Sequence, residues 1–220
     1  MSLIYLIPFC ILFYFVGNLS PAKLFAKLNK KDLSKVGSGS AGATNTLRAF
    51  GAKVAIMVLV IDILKGVIPA LIGMFVFRDS YVAMLSLGLA TVIGHCFPII
   101  SKFKGGKGAA TIVGVFLVVS PIVTAVAFTV GFITHCVLKQ QSIASIGFVA
   151  VVVIYELVNI NSQVNSINQA AVASGLFIAV FALVLFTHRS NMTALFGGTE
   201  KRVSIIDKLV DKIKAKKKIK

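Results

Sequence analysis

Charge is what this chain has least of. Only 14% of its 220 residues are charged, against about a quarter in an ordinary soluble domain. Acidic residues are scarcer still, 7 Asp and Glu beside 23 Lys and Arg. With 57% hydrophobic residues and a mean hydropathy of +0.94, that scarcity excludes a soluble globular protein. Long apolar runs recur from end to end, which marks an all-α integral membrane protein. Cysteine is sparse as well. Cys10, Cys96 and Cys136 lie scattered in apolar context without C-x-x-C spacing, so neither a disulfide framework nor a cysteine metal site is indicated, and buried thiols are expected. The run 3–16 lacks a basic n-region and an A-x-A-like cleavage site, so it reads as a retained helix.

The cations are distributed in a way that explains the net charge of +16 without nucleic acid, because cytoplasmic loops of membrane proteins concentrate Lys and Arg. Candidate spans cover 2–17, 52–77, 81–100, 109–119, 122–138, 143–160 and 169–187. The connector 18–51 carries Lys23, Lys27, Lys30, Lys31, Lys35 and Arg48, and the next basic connector carries Lys102, Lys104 and Lys107. Both belong inside. Arg78 is offset by Asp79, so that turn belongs outside, as does the neutral stretch 161–168. Lys107 and Lys139 flank 109–138 at both ends, so this segment goes out and returns, with Ser120-Pro121 as the place to turn. Its outward leg rises only about 16 Å, short of a full span. Seven transmembrane helices result, some short or broken, with the N-terminus outside and the C-terminus cytoplasmic; five full spans plus a re-entrant pair describes the same path. Residues 1–200 form the membrane domain and 201–220 a basic cytoplasmic tail. In the tail Ile205, Ile206, Leu209, Val210 and Ile213 share one helical stripe, which suits either a helix on an anionic membrane surface or a solvated one.

Three polar, glycine-bearing islands fall on the cytoplasmic side: "GSGSAGATNTLR" (37–48), "GHCFPIISKFKGGKGAAT" (94–111) and "HRSNMTALFGGTE" (188–200). In the second, Gly105, Gly106 and Gly108 let backbone N–H groups face an anion, Lys104 and Lys107 add charge, and a helix starting near Ala109 points its positive end at the same spot. The stretch is no Walker A loop, since Ser101 and Gly108 stand where glycine and a hydroxyl residue are required. In the first island Ser38, Thr44 and Asn45 offer hydrogen bonds and Arg48 a bidentate fork; alternatively Thr44 or Asn45 caps the following span. In the third, His188 and Asn191 share a face if the last helix continues. Within the spans, Asp62 and Lys65 sit three apart, a functional pair or a lock between helices. His135 is expected to pack between helices, and Glu156 to lie near the outer end of its span without a role.

The three islands, in this order, resemble the bacterial acylphosphate-dependent glycerol-3-phosphate acyltransferases. That family's motifs read G-S-G-N-x-G-A-T-N-x-x-R, G-H-x-F-P-x-x-x-x-F-K-G-G-K-G-x-A-T and H-R-x-N-I-x-R-L-x-x-G-x-E. The second matches at every fixed position, and the stretches Asp62-Ile-Leu-Lys65-Gly66 and 142–145 also look like family features. Ser40 stands for Asn, Met192 for Ile, Ala194 for Arg, and Lys139-Gln140-Gln141 for Arg-Tyr-Val. The resemblance implies a multi-pass enzyme of the bacterial cytoplasmic membrane, with its active site at the cytoplasmic face. It would move an acyl chain from acyl phosphate to the 1-hydroxyl of glycerol 3-phosphate. Lysophosphatidic acid and phosphate would result, at the start of phospholipid synthesis, without cofactor or metal. Membrane lipid and the soluble acylphosphate-producing enzyme are the further partners it suggests.

Under that resemblance Ser38, Arg48, His188 and Asn191 are the catalytic candidates. Thr44, Asn45, Lys104, Gly105, Gly106, Lys107, Gly108, Ser142 and Ser145 are the substrate-binding ones. Lys107 and the glycines would cradle the phosphate of glycerol 3-phosphate, and Arg48 with Ser38, Thr44 and Asn45 the acyl phosphate. Neither a Ser-His-Asp arrangement nor an H-x-x-x-x-D box is present, since Ile100 follows His95 and Thr193 follows His188 at that spacing. A substrate phosphate oxygen or His188 would take the hydroxyl proton. The rival class is a transporter for an anionic solute; the lack of an internal repeat and the one-sided polar islands count against it. A non-catalytic scaffold would leave the glycine loops unexplained.

Overall fold

The computed structural model describes residues 3–78 and 80–200; the expected amphipathic tail lies outside them. Nine α-helices follow in order among the described residues: α1 (Leu6–Asn18), α2 (Pro21–Leu28), α3 (Ala43–Phe50), α4 (Ala52–Val76), α5 (Tyr81–Cys96), α6 (Ala109–Val119), α7 (Pro121–Leu138), α8 (Gln141–Gln163) and α9 (Ile167–Phe196). Serines start several of them. Ser20, Ser80 and Ser166 accept from the backbone N–H three residues on, filling an orphan donor of the first turn. Pro21 and Pro121 occupy the first helical position, where no N–H is needed.

Six segments are long and apolar enough to cross a membrane, among them 6–28, which joins α1 and α2. The seventh expected span is the short apolar α6, 11 residues long. As the proline predicts, the chain breaks at Ser120 (φ −143, ψ 73) and restarts as α7. The span expected at 169–187 belongs to a helix that runs on through Phe196. The connector 18–51 folds α2, a 3-10 turn (Leu33–Lys35) and α3.

α5 is the most enclosed of the long helices, packed by α1, α4, α6 and α9. Leu85, Val92, Ile112, Phe116, Phe148, Val149, Val152, Phe177 and Val184 form the main apolar core between α5, α6, α8 and α9. Large apolar side chains such as Ile122, Val137, Val158 and Ile167 stand exposed around the outside, the arrangement expected where lipid is the solvent. Reciprocal glycines let helices touch by their backbones. A Cβ on Gly66 would lie 2.0 Å from Thr111 O, and one on Gly114 2.0 Å from Ile63 O, so α4 and α6 cross without side chains between them. Gly17 and Gly94 do the same for α1 and α5.

The Asp62–Lys65 pair turns out to lock helices together. Lys65 Nζ lies 2.9 Å from Asp62 Oδ1 and donates to Leu19 O (2.9 Å), Gly17 O (3.4 Å) and His95 Nδ1 (2.9 Å). One buried ammonium thus satisfies the C-terminal carbonyls of α1 and ties α4 to α5. Glu156, expected to have no role, is completely buried and accepts from Tyr81 Oη and Ser120 Oγ. It clasps α5, the α6–α7 break and α8. Of the cysteines, only Cys96 is buried; Cys10 and Cys136 are half-buried, and all three are free thiols.

Candidate active site

A cavity of about 370 Å³ opens where α3 and α6 begin and α5 and α7 end. Its polar end is lined by Ser38, Thr44, Arg48, Lys107, His188 and Asn191, with Gln141, Ser142 and Ser145 on the α8 side. The other wall is apolar, made by Ile56, Leu59, Val113, Phe128, Phe132 and Phe148. A ligand filling it would have a charged head and an apolar tail.

Two helix starts face this space. α6 begins after Gly108, whose left-handed φ of 83 is open to glycine, and α3 begins after Gly42; neither has a side-chain cap. Gly108, Ala109 and Ala110 at one start, and Gly42, Ala43 and Thr44 at the other, line the cavity. First-turn N–H groups have no intrahelical acceptor, so each start is a ready donor set for an anion. The N–H groups of Lys107 and Gly108 also lack a protein acceptor among the described residues. The first and second islands are joined directly, Ala41 N–H donating to Gly105 O at 3.3 Å, and α2 is tied to the second by Lys23 Nζ, which donates to Lys104 O.

A polar chain crosses the floor. Lys107 Nζ donates to Asn191 Oδ1, Asn191 Nδ2 donates to Glu200 Oε1 (3.1 Å), and Ser142 Oγ donates to the same oxygen. Thr187 Oγ1 donates to Lys107 O at 3.1 Å. The loop before α6 is thereby fastened to α9 and α8. Burial lowers the Lys107 pKa to about 8; Glu200 opposes the shift and Arg48 adds to it. Burial also lowers Arg48 from its ordinary value, again opposed by Glu200, but a guanidinium remains charged. His188 Nδ1 lies 2.9 Å from Val184 O. A carbonyl only accepts, so that nitrogen carries the proton and Nε2 keeps its lone pair.

The sequence candidates fall into two groups. Ser38, Thr44, Arg48, Lys107, Gly108, Ser142, Ser145, His188 and Asn191 all line the cavity. The continuation of α9 puts His188 and Asn191 one turn apart on one face, as their spacing requires. Asn45, Lys104, Gly105 and Gly106 do not line it. Asn45 is buried, donating to Leu33 O at 3.0 Å, and so holds the 3-10 turn (Leu33–Lys35) onto α3; neither it nor Thr44 caps the span. The Lys104 side chain is exposed. Gly105 and Gly106 back onto the end of α5, where a Cβ would meet His95 O at 2.1 Å and His95 Nε2 at 2.0 Å respectively. Three residues went unassigned in the sequence. Glu200 organises Asn191 and Ser142, and His95 lines the cavity. His135, expected merely to pack, also lines it, with both ring nitrogens buried and unpartnered. Among the described residues no group of three or more His, Cys, Asp or Glu is placed to hold a metal ion.

Fold and cavity together define a helical membrane protein with a cavity of cationic, polar and apolar lining at one end of the bundle. Comparison with known proteins narrows that class. Residues 7–198 match the family model described as glycerol-3-phosphate acyltransferase, and the chain belongs to that family of membrane acyltransferases. It is 38% identical over 200 residues to the glycerol-3-phosphate acyltransferase of a Thermoanaerobacter species, covering 90% of this chain and 96% of the relative. It is 39% identical over 190 residues to that of Aquifex aeolicus, covering 86% and 94%. Among solved structures it is similar to PlsY (YgiH), an integral membrane glycerol 3-phosphate acyltransferase. The glycerol 3-phosphate form of that protein superposes with a TM-score of 0.83 at 34% identity, covering 93% of this chain and 98% of the other. A lysophosphatidic acid form gives 0.80 at 33% identity, covering 94% and 99%.

Proposed function

We propose that this enzyme transfers an acyl chain from acyl phosphate to the 1-hydroxyl of glycerol 3-phosphate, giving lysophosphatidic acid and inorganic phosphate. The observation that carries the reading is the pair of uncapped helix starts, those of α3 and α6, in one cavity with an apolar wall. Two phosphate-bearing substrates need two anion sites within reach of each other, and one of them needs a slot for its chain. The α6 start with Lys107 takes the phosphate of glycerol 3-phosphate. The α3 start with Ser38 and Arg48 takes the acyl phosphate, whose chain lies against Ile56, Leu59, Phe128 and Phe132.

In the reaction the glycerol oxygen attacks the acyl carbonyl carbon, the bond from that carbon to the phosphate oxygen breaks, and the hydroxyl proton leaves with a base. Acyl phosphate is an activated anhydride with a good leaving group, so the base can be weak. The lone pair on His188 Nε2 suits it to accept a hydrogen bond from the hydroxyl, and either His188 or a phosphate oxygen of the donor takes the proton. Asn191 and the α3 N–H groups stabilise charge on the carbonyl oxygen. The seven crossings, with the cavity at the cytoplasmic face of the bacterial membrane, let the head groups meet in water while the chain enters from lipid.

The deciding experiment incubates the purified protein with acyl phosphate and glycerol 3-phosphate, and in parallel with acyl-CoA. Lysophosphatidic acid from the acyl phosphate arm is expected; folded protein that yields none refutes the reading. A His188→Gln variant with near-normal kcat assigns the proton to the substrate phosphate, whereas a loss of about a hundredfold or more assigns it to His188.

A further inference from the structure

The glycine loop before α6 is short of one donor that its composition promises. Gly106 N–H is not free for a ligand, because it donates to His95 O at 3.0 Å. The same histidine returns a donor to the site. His95 is 6% exposed and lines the cavity. Its Nδ1 faces Lys65 Nζ at 2.9 Å. An ammonium has no lone pair, so Nδ1 must be the acceptor and the ring proton must sit on Nε2. Asp62 Oδ1 lies 3.5 Å from the same Nδ1, beyond the 2.9 Å of Lys65 Nζ, and has no hydrogen-bond partner among the described residues; the shorter contact sets the tautomer.

His95 Nε2 has no protein partner among the described residues, and it abuts Gly106 so closely that a Cβ there would come within 2.0 Å of it. We propose that His95 is a ligand of the anion held at the start of α6, presenting its Nε2–H to the phosphate, with Lys65 as the positioning residue that keeps the proton on that nitrogen. This rests on the reading that the loop and Lys107 hold the phosphate of glycerol 3-phosphate. It also gives Gly106 a second reason to be glycine: any side chain there would push the imidazole out of line.

Substitutions that each keep one nitrogen position separate this role from a packing role. The amide of His95→Gln reaches the place of Nε2 with an N–H but leaves Lys65 without its acceptor. His95→Asn keeps an acceptor near Nδ1 and has nothing at Nε2. If the proposal holds, His95→Asn raises the KM for glycerol 3-phosphate about ten- to a hundredfold with little change in the acyl phosphate KM, and His95→Gln recovers most of that loss. The opposite order, Asn better than Gln, overturns it and makes His95 a structural partner of Lys65.

A second measurement needs no variant to fold. In protein labelled with nitrogen-15 at histidine, saturating glycerol 3-phosphate should shift the His95 Nε2 resonance and leave Nδ1 nearly unmoved; an unmoved Nε2 overturns the proposal. Lys107→Ala separates the two levels. If it leaves the glycerol 3-phosphate KM unchanged, the loop reading itself fails. If it raises that KM while His95→Asn does not, only the histidine's role is lost.

Discussion

Burial sets the working range of Lys107. Its pKa near 8 arises because burial penalises the ammonium; Glu200 recovers part of that cost and Arg48 adds to it. The cation is therefore present below about pH 8 and is lost as pH rises through that value, while the substrate phosphate stays doubly charged. KM for glycerol 3-phosphate should be flat up to about pH 7, about double by pH 8, then climb by up to about tenfold per pH unit. Lys107→Arg keeps the cation through the whole range, so initial rates of that variant should show no such climb. A wild-type KM that stays constant to pH 10 would remove Lys107 from the acceptor site. That Lys107, Arg48, His188 and Asn191 would gather in one place was legible in the sequence, because glycine spacing and charge at a span's edge single them out, and all four line the cavity. Glu200 was not. It meets Asn191 only because the chain reverses after α9, where Gly198 takes a φ of 68 and Thr199 N–H donates to Ala194 O at 2.7 Å. His95 and Lys65 likewise depend on a contact across 30 positions, which no local pattern encodes.

At the scale of elements, the α4–α6 crossing positions the start of α6, where the anion site is proposed. Gly66 lies against Thr111 O and Gly114 against Ile63 O, so the first turn of α6, and Gly108 with it, is registered on the backbone of α4. Gly66→Ala or Gly114→Ala must part the helices, at a cost of about 1–3 kcal/mol. Each should lower the midpoint of thermal unfolding in detergent and raise the glycerol 3-phosphate KM together. Gly175→Ala is the control. Nothing lies within 4 Å of its Cβ position, so the substitution should be neutral or stabilising by about 0.5–1 kcal/mol. If Gly66→Ala behaves like Gly175→Ala, the crossing does not set the site. The short α6 and the break at Ser120 could be read from the sequence, because proline and flanking lysines punctuate the chain. The extension of α9 to Phe196 could not, since hydropathy falls where the helix leaves lipid and not where its hydrogen bonds end. α2 and α3, eight residues each, were too short and polar to stand out from a basic connector.

On the scale of the molecule, the two ends of the bundle do different work. Tyr81 starts α5 and His95 lies near its other end, roughly 21 Å away, so the Glu156 clasp and the cavity occupy opposite faces. Glu156→Ala would strand the Tyr81 and Ser120 hydroxyls and cost about 2–5 kcal/mol, read as a lowered thermal midpoint with the KM values of the surviving enzyme unchanged. Altered KM values would mean that the clasp reaches the site. Orientation follows from charge. Lys23, Lys27, Lys30, Lys31 and Lys35 belong to the connector that joins the cavity end, whereas the exposed turn at 164–166 between α8 and α9 carries none. Positive loops stay in the cytoplasm, so the proposed orientation has the cavity facing the cytoplasm, and labelling tests it. In a background with Cys10, Cys96 and Cys136 replaced by alanine, a membrane-impermeant maleimide applied to intact cells should label Asn165→Cys, and should label Lys27→Cys only after permeabilisation. The reverse pattern would place the cavity outside, where neither phosphate donor nor acceptor would reach it, and the orientation drawn from the lysines would have to be inverted.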